Sequence, residues 1–162
     1  MGVGDVSGEA NVIEQRKGEY AISTDTARID VDAVAEYLSR SYWAAGRSRE
    51  QIERSIEHSL CFGLFHDGRQ VGFARVISDH ATFAYLCDVY VLEAHRGNGL
   101  GKWLVDVVLA HPALQGLRRW MLATRDAHEL YRQFGFAELS NPDRWMEIFN
   151  GGRAGSGSSE SR

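Results

Sequence analysis

Arg96-Gly97-Asn98-Gly99-Leu100-Gly101 lies at the seam between two patterned segments, and its reading decides the fold. Before it runs Ala84-Tyr85-Leu86-Cys87-Asp88-Val89-Tyr90-Val91-Leu92, rich in strand formers. After it, Lys102 to His111 follows helical spacing. A strand that turns through three glycines into a helix leaves several backbone N–H groups unpartnered. With the positive end of the helix dipole, these form a site for phosphate. A helix from Leu100 to Ala110 is also a right-handed crossover, which makes the strands on either side of it parallel.

Outward from this seam the chain alternates strands and helices. Glu19 to Ser23 reads as a first strand. Asp32 to Arg40 has helical spacing, with Val31, Val34, Tyr37 and Leu38 on one face and Asp30 or Asp32 near its start. Ser48 with Gln51 is a capping-box pattern that opens a helix to about Ser59. Leu60 to His66 and Gln70 to Ser78 form a hairpin across Asp67-Gly68, and Ala81 to Leu92 extends it. Beyond the helix stopped by Pro112, Leu117 to Thr124 is a strand and Ala127 to Phe134 a short helix ended by Gly135. Phe136 to Leu139 and Trp145 to Phe149 read as two final strands around Asn141-Pro142. The pattern predicts an α+β fold, a mixed and mostly antiparallel sheet flanked by helices, in the order β-α-α-β-β-β-α-β-α-β-β. One domain spans residues 12–150, between a flexible N-terminus (1–11) and a disordered Gly/Ser-rich tail (151–162).

Composition narrows the function. The 162 residues are 44% hydrophobic and 25% charged, as expected of a single globular domain. A net charge of −4 argues against a general nucleic-acid partner, since phosphate backbones reward a basic face. Cys61 and Cys87 sit in apolar runs with no disulfide or metal pattern, and the six histidines show no ligand spacing, so no metal is expected. No stretch reaches the ~18 apolar residues of a membrane helix, and no signal-peptide core precedes the domain; a cytoplasmic location and no membrane partner are the expectation.

The glycine turn fits neither of two familiar phosphate loops. A P-loop needs Gly-x-x-x-x-Gly-Lys-[Ser/Thr], whereas Gly101-Lys102 is followed by Trp103. A dinucleotide fingerprint needs Gly-x-Gly-x-x-Gly in an opening βα unit, whereas these glycines are evenly spaced after three antiparallel strands. A bare turn needing positive φ is the plain alternative. The Arg-x-x-Gly-x-Gly spacing of Arg96, Gly99 and Gly101 resembles the acetyl-CoA pyrophosphate loop of the GNAT superfamily of N-acetyltransferases. Ala127 to Phe136, with Tyr131 ahead of Phe134-Gly135-Phe136, resembles that family's second signature. The strand order from Glu19 to Phe149 resembles its fold.

The resemblance implies an acetyl-CoA-dependent N-acetyltransferase. Backbone groups of Gly97, Asn98, Gly99, Leu100, Gly101 and Lys102 would hold the pyrophosphate, with Arg96 supporting the loop. The strand around Val89, Tyr90 and Val91 would offer main-chain groups to pantetheine where it splays from Leu117–Thr124, with Val89 N–H as oxyanion donor. Thr124 would bond the same arm. Tyr131 would stand near the sulfur as the acid for the leaving thiolate.

Asp88, a carboxylate in an apolar strand, needs a partner or a task. It is either a general base working through water or a residue that orients its neighbours, while Glu93 is a solvated competitor. Tyr42, Trp43, Arg47, Phe83, Tyr85 and Asp88 are the candidate acceptor contacts; Phe62 and Phe73 read as core. Arg118-Arg119 and Arg125-Asp126 read as surface pairs rather than ligands of the 3′-phosphate. Direct transfer to a small-molecule primary amine in a ternary complex is the expected chemistry. The alternatives are a peptide or protein N-acetyltransferase and a non-catalytic acyl-CoA-binding domain. The oligomeric state is open, a homodimer included.

Overall fold

In a computed structural model of the chain, residues 12–151 are described. The expected flexible N-terminus, 1–11, lies outside them, as does the expected tail, 151–162, apart from its first residue, Gly151. Among the described residues a six-stranded sheet runs β1-β2-β3-β4-β5-β6 in sequence order. Its strands are β1 (Glu14–Lys17), β2 (Tyr20–Ser23), β3 (Leu60–His66), β4 (Arg69–Ser78), β5 (Phe83–Val91) and β6 (Arg119–Met121). Every neighbouring pair is antiparallel except β5 and β6, which are parallel across the helix α3 (Leu100–Leu109).

Local signals place most elements where the sequence predicts. Asp30 caps α1 (Val31–Ser39), its carboxylate accepting from Ala33 N–H. Ser48 and Gln51 form the full capping box of α2 (Arg49–Glu57). Asp67 and Gly68 have φ of 50° and 76°, the left-handed pair that a tight hairpin between β3 and β4 requires.

The two faces of the sheet carry separate cores. On one, α3 packs Leu100, Leu104, Val105 and Val108 onto Phe62, Leu64, Val76, Ala84 and Leu86. On the other, α1 and α2 bring Val34, Leu38, Ile52 and Ile56 against Cys61, Phe73 and Tyr90.

Strand β5 changes face between these sets. Between the pairs Phe73↔Tyr90 and Arg75↔Cys87 lie one residue of β4, Ala74, and two of β5, Asp88 and Val89. This β-bulge shifts the side-chain alternation by one. Ala84 and Leu86 therefore point to α3, whereas Tyr90 points to α1 and α2. Asp88 absorbs the irregularity with φ of 52°.

Three expectations are corrected. A strand β1 precedes the expected first strand; its four residues are all exposed and carry no apolar alternation to reveal it. The strand expected over Leu117–Thr124 pairs only at Arg119–Met121, because β5 and β6 diverge beyond Tyr85↔Met121. Neither Phe136–Leu139 nor Trp145–Phe149 is a paired strand. An open groove separates the first from β6, and the second runs out beside it, so among the described residues neither finds a neighbour to bond.

The centre of the sheet tolerates little added volume. A Cβ on Gly72 would meet Tyr90 O and Leu64 Cδ2, each at 2.9 Å. Gly72→Ala is expected to cost about 1–3 kcal/mol of stability in denaturant unfolding; an unchanged midpoint would contradict the close approach.

Candidate active site

Where β5 and β6 part, a cleft of about 450 Å³ opens. Its walls are the strand from Tyr85 to Val89, the segment from Leu122 to Ala127 with Tyr131 beyond it, and the loop that joins α1 to α2. Leu92 N–H donates to Val71 O, and Phe73 pairs with Tyr90 in the same register. Alternation therefore turns the peptide groups of Val89 and Val91 away from β4, towards the side β6 has left. An extended ligand can pair there as a strand would.

The glycine loop follows directly. Gly97 and Gly99 have φ of 86° and 71°, and Gly99 is the N-cap of α3 with no side-chain cap. Trp103 N–H is the first to bond into the helix, to Gly99 O. The N–H groups of Leu100, Gly101 and Lys102 have no acceptor among the described residues. A Cβ placed on Gly97, Gly99 or Gly101 would meet nothing within 4 Å. The loop is thus an open cradle of N–H groups at a helix start, suited to an anion.

Arg96 does not point into this cradle. Its Nε donates to Val91 O at 2.9 Å and its Nη2 to Tyr37 Oη at 2.9 Å, tying the loop to β5 and α1. Tyr37 in turn stacks on Tyr90, with ring centroids 3.9 Å apart and planes at 9°. Asn98 bonds within the loop, to His95 O.

The buried centre of the cleft is Asp88, 4% exposed. Its Oδ1 accepts from Trp43 Nε1 at 2.8 Å. Its Oδ2 accepts from Arg47 Nη1 at 2.7 Å and from Arg75 Nε at 2.9 Å. Burial alone would push the carboxyl up, but the Arg47 hydrogen bond and the two guanidinium charges outweigh it and hold it below the usual carboxylate range. A carboxylate so engaged is a weak base. Of the two roles open to Asp88 from sequence, the geometry favours orientation, since it fixes Trp43 and Arg47 and hence the loop between α1 and α2.

Arg75 is the residue that sequence reasoning missed. It is buried, and its second nitrogen donates to Ser59 Oγ at 3.1 Å. Its one signal is a lone cation in the apolar run Val71–Ile77, the counterpart of a lone anion in the next strand.

The remaining candidates divide. Tyr42, Trp43, Arg47 and Tyr85 line the cleft with Asp88. Phe83 does not; it opens β5 opposite Arg119, where the strands are still paired. Phe62 and Phe73 are fully buried core. Thr124 Oγ1 accepts from Ala127 N–H at 3.0 Å and so braces the turn into α4 (His128–Arg132), with its own O–H left to donate. Arg125 spans the opening, its N–H donating to Tyr42 Oη at 3.2 Å and its guanidinium lying 3.8 Å from the Tyr42 ring centroid. Glu93 is at the surface, paired with Arg40.

Tyr131 is 9% exposed, and burial pushes its hydroxyl up to about 12, so it stays protonated and can donate at neutral pH. Burial likewise holds the Cys87 thiol near 11 despite the neighbouring Arg75, which leaves no ready thiolate in the cleft. Among the described residues no cluster of His, Cys, Asp and Glu could hold a metal, and no helix is long and apolar enough to cross a membrane.

Comparison with known proteins gives a consistent result. The family model described as "Acetyltransferase (GNAT) family" matches residues 29–136. A solved structure from Xanthomonas campestris, a candidate acetyltransferase of that family, is 52% identical with a TM-score of 0.80, over 82% of this chain and 94% of its own. A candidate acetyltransferase from Gibberella zeae is 36% identical over 138 residues, 71% of this chain and 77% of its own length. Serotonin N-acetyltransferase 2 of Oryza sativa is 30% identical over 136 residues, 80% of this chain and 68% of its own.

Removing the Asp88 charge tests the buried cluster. Asp88→Asn is expected to cost about 3–5 kcal/mol at neutral pH, because two guanidiniums lose their counter-ion. The folded carboxyl lies below its unfolded value of about 3.9, so its contribution is complete above that pH and is lost as pH falls through the folded value. The stability gap between wild type and variant should therefore shrink below about pH 4 in urea titrations; a gap that widens there would contradict the arrangement.

Proposed function

The chain belongs to the acetyltransferase (GNAT) family, and from that premise we propose that it moves the acetyl group of acetyl-CoA to a primary amine on a small aromatic molecule. The observation that carries this reading is a set of three features, two of them successive along the chain from β5 into α3 and the third facing Val89 across the cleft. These are the N–H cradle at the start of α3, the outward-turned peptide groups of Val91 and Val89, and the Tyr131 hydroxyl at the far wall.

In this reading the pyrophosphate rests on Gly97 to Lys102, where glycines leave room for close approach. Arg96 holds the loop in register with β5. Pantetheine pairs with Val89 and Val91 as an added strand; Tyr90, expected beside them, instead turns its peptide groups to β4 and its ring onto Tyr37, and Thr124 lends its free O–H from the opposite wall. The thioester carbonyl then lies beside Val89 N–H, which stabilises the oxyanion of the tetrahedral intermediate. The amine nitrogen attacks the carbonyl carbon within the ternary complex. As the C–S bond breaks, the Tyr131 O–H protonates the departing thiolate.

The amine's own proton needs no carboxylate base. One carboxylate between Arg47 and Arg75 leaves the cleft floor net positive, which disfavours an ammonium and favours the neutral amine. The proton passes to water in the open cleft.

A small acceptor is favoured because Arg125 and Tyr42 join the two walls of the cleft, which narrows the room for an extended peptide. Tyr42, Trp43 and Tyr85 suit an aromatic group, and the similarity to the rice serotonin N-acetyltransferase supports the same class.

Release of thiol from acetyl-CoA over a panel of arylalkylamines, aliphatic amines and peptides tests the reading. Turnover is expected with arylalkylamines, with kcat/KM rising with pH as the free amine forms. Turnover with peptides alone would shift the reading to a protein N-acetyltransferase. Acetyl-CoA binding without turnover on any acceptor would leave a binding domain.

Two substitutions separate the parts. Tyr131→Phe should lower kcat about 100-fold with acetyl-CoA affinity unchanged; an unchanged kcat would remove it as the acid. Gly101→Glu adds a side chain into open space in the first turn of α3, where an acid suits the helix dipole. Stability should hold while acetyl-CoA binding is lost by calorimetry, and wild-type affinity would sink the cradle.

A further inference from the structure

The floor of the cleft holds more positive charge than the protein itself neutralises. Arg47 and Arg75 share one carboxylate, and Asp88 Oδ2 alone accepts from both. Arg75 uses Nε on Asp88 and Nη1 on Ser59 Oγ, and its Nη2 has no acceptor among the described residues. Arg47 uses only Nη1 there, so Nε and Nη2, the side-on edge of its guanidinium, have no acceptor among them. The Arg75 side chain is 9% exposed, whereas that of Arg47 is 29% exposed and lines the cleft, so a ligand can reach it. A surplus cation held largely out of water is costly unless an anion arrives to meet it.

The third arginine of the cleft differs. Arg125 lies exposed over the Tyr42 ring with the Asp126 carboxylate at 3.8 Å, so its charge already has a partner at the rim. The open edge of Arg47 presents two parallel N–H groups, the pattern that a planar carboxylate meets with both oxygens. Asp88, to which Arg47 bonds, directly precedes Val89, the residue whose N–H faces the thioester in the reading above. A ligand that serves both places carries its anion close to its amine. Tyr42, Trp43 and Tyr85 in the same cleft leave room beside them for a flat ring.

Resting on that acetyl-transfer reading, we infer that the acceptor is an aromatic α-amino acid, whose carboxylate is received by Nε and Nη2 of Arg47. Its ring lies among Tyr42, Trp43 and Tyr85, and its amine faces the thioester. Arg47 is then the residue that selects the acceptor. The incoming carboxylate makes the floor neutral and not negative, so the protein still gives an ammonium no counter-ion and the neutral amine reacts. The loop between α1 and α2 supplies Tyr42, Trp43 and Arg47 together, and Asp88 fixes that loop through two of them. Acceptor choice is thus held in one segment, apart from the groups that hold acetyl-CoA.

Matched acceptors that differ only in the carboxylate test this: phenylalanine with phenylethylamine, tyrosine with tyramine, tryptophan with tryptamine. With each rate of thiol release referred to the neutral amine, the amino acids should lead by about 10-fold or more in kcat/KM, through KM. Arg47→Met should bring that ratio to about one. If the variant loses its circular dichroism, Arg47→Lys, which keeps a cation on Asp88 without the side-on edge, carries the same test. Calorimetry with CoA present gives a readout that needs no turnover. N-acetylphenylalanine should bind the wild type about 10-fold more tightly than its carboxamide, and the Arg47 variant should erase the difference. Turnover of the plain amines with no preference for the amino acids would overturn the carboxylate subsite and leave acetyl transfer standing. Arg47-dependent binding of the acid, with no acceptor turned over, would uphold the subsite and sink the transfer. Equal binding of acid and carboxamide to the wild type would overturn the inference.

Discussion

The Asp88 carboxylate, buried and shared by Arg47, Arg75 and Trp43, is the constraint around which the molecule is organised. It sits at the bulge that turns β5 over, and it holds a positive φ that costs about 1–3 kcal/mol in a residue other than glycine. Neither the bulge nor the buried charge is stable alone. The bulge turns Asp88 to the α1 and α2 face, where Arg75 on β4 already points. The loop after α1 then completes the shell with Trp43 and Arg47. Breaking any one contact leaves a buried charge short of partners, so strand register, loop position and side-chain network stand together.

The same bulge links fold to chemistry. By shifting the alternation it gives Ala84 and Leu86 to the α3 core and Tyr90 to the other core. It also turns Val89 and Val91 towards the side where β6 diverges. The parting of β5 from β6 after three pairs would ordinarily be a defect, an unpaired strand interior. Here it opens a slot with Val89 in its wall, on the strand that leads through Val91 into the helix start at Gly99. Tyr37 and Arg96 keep the slot and the glycine loop in one frame, one through its stack on Tyr90 and the other through Val91 O.

Features that depend on neighbours in sequence were legible, and those that depend on distant partners were not. Ser48 with Gln51, Asp67-Gly68 and the Gly97–Gly101 turn each carry their geometry within four or five residues, and each forms where expected. Asp88 announced itself as an anomaly in an apolar strand, but its partners lie 13, 41 and 45 residues away, so its basicity could not be judged. Arg75 passed unnoticed for the same reason. Phe83 and Tyr85 share a face by alternation and looked alike; only the point at which β6 departs puts Tyr85 in the cleft and Phe83 outside it. Strand β1 had no apolar pattern to read, because all of it faces solvent.

The C-terminal segments show the converse case, a legible pattern without a partner. Alternation and β-propensity describe how a segment would sit in a sheet, but a strand exists only through its ladder, and periodicity does not say which backbone supplies it. Phe136–Leu139 and Trp145–Phe149 carry strand-like sequence, while the edge that could bond them, at β6, has no partner among the described residues. An unpaired, apolar edge beside an unpaired, apolar arm is a costly state for an isolated chain, exposing both to indiscriminate pairing. The sequence does not blunt this edge as edges usually are: Trp120 and Met121 occupy two of the three positions of β6, and Arg119 is drawn onto Trp145 rather than left free. Among the described residues no backbone lies beside this edge, so the strand-like pattern of Phe136–Leu139 and Trp145–Phe149 records β-propensity alone, without the ladder that would turn it into structure.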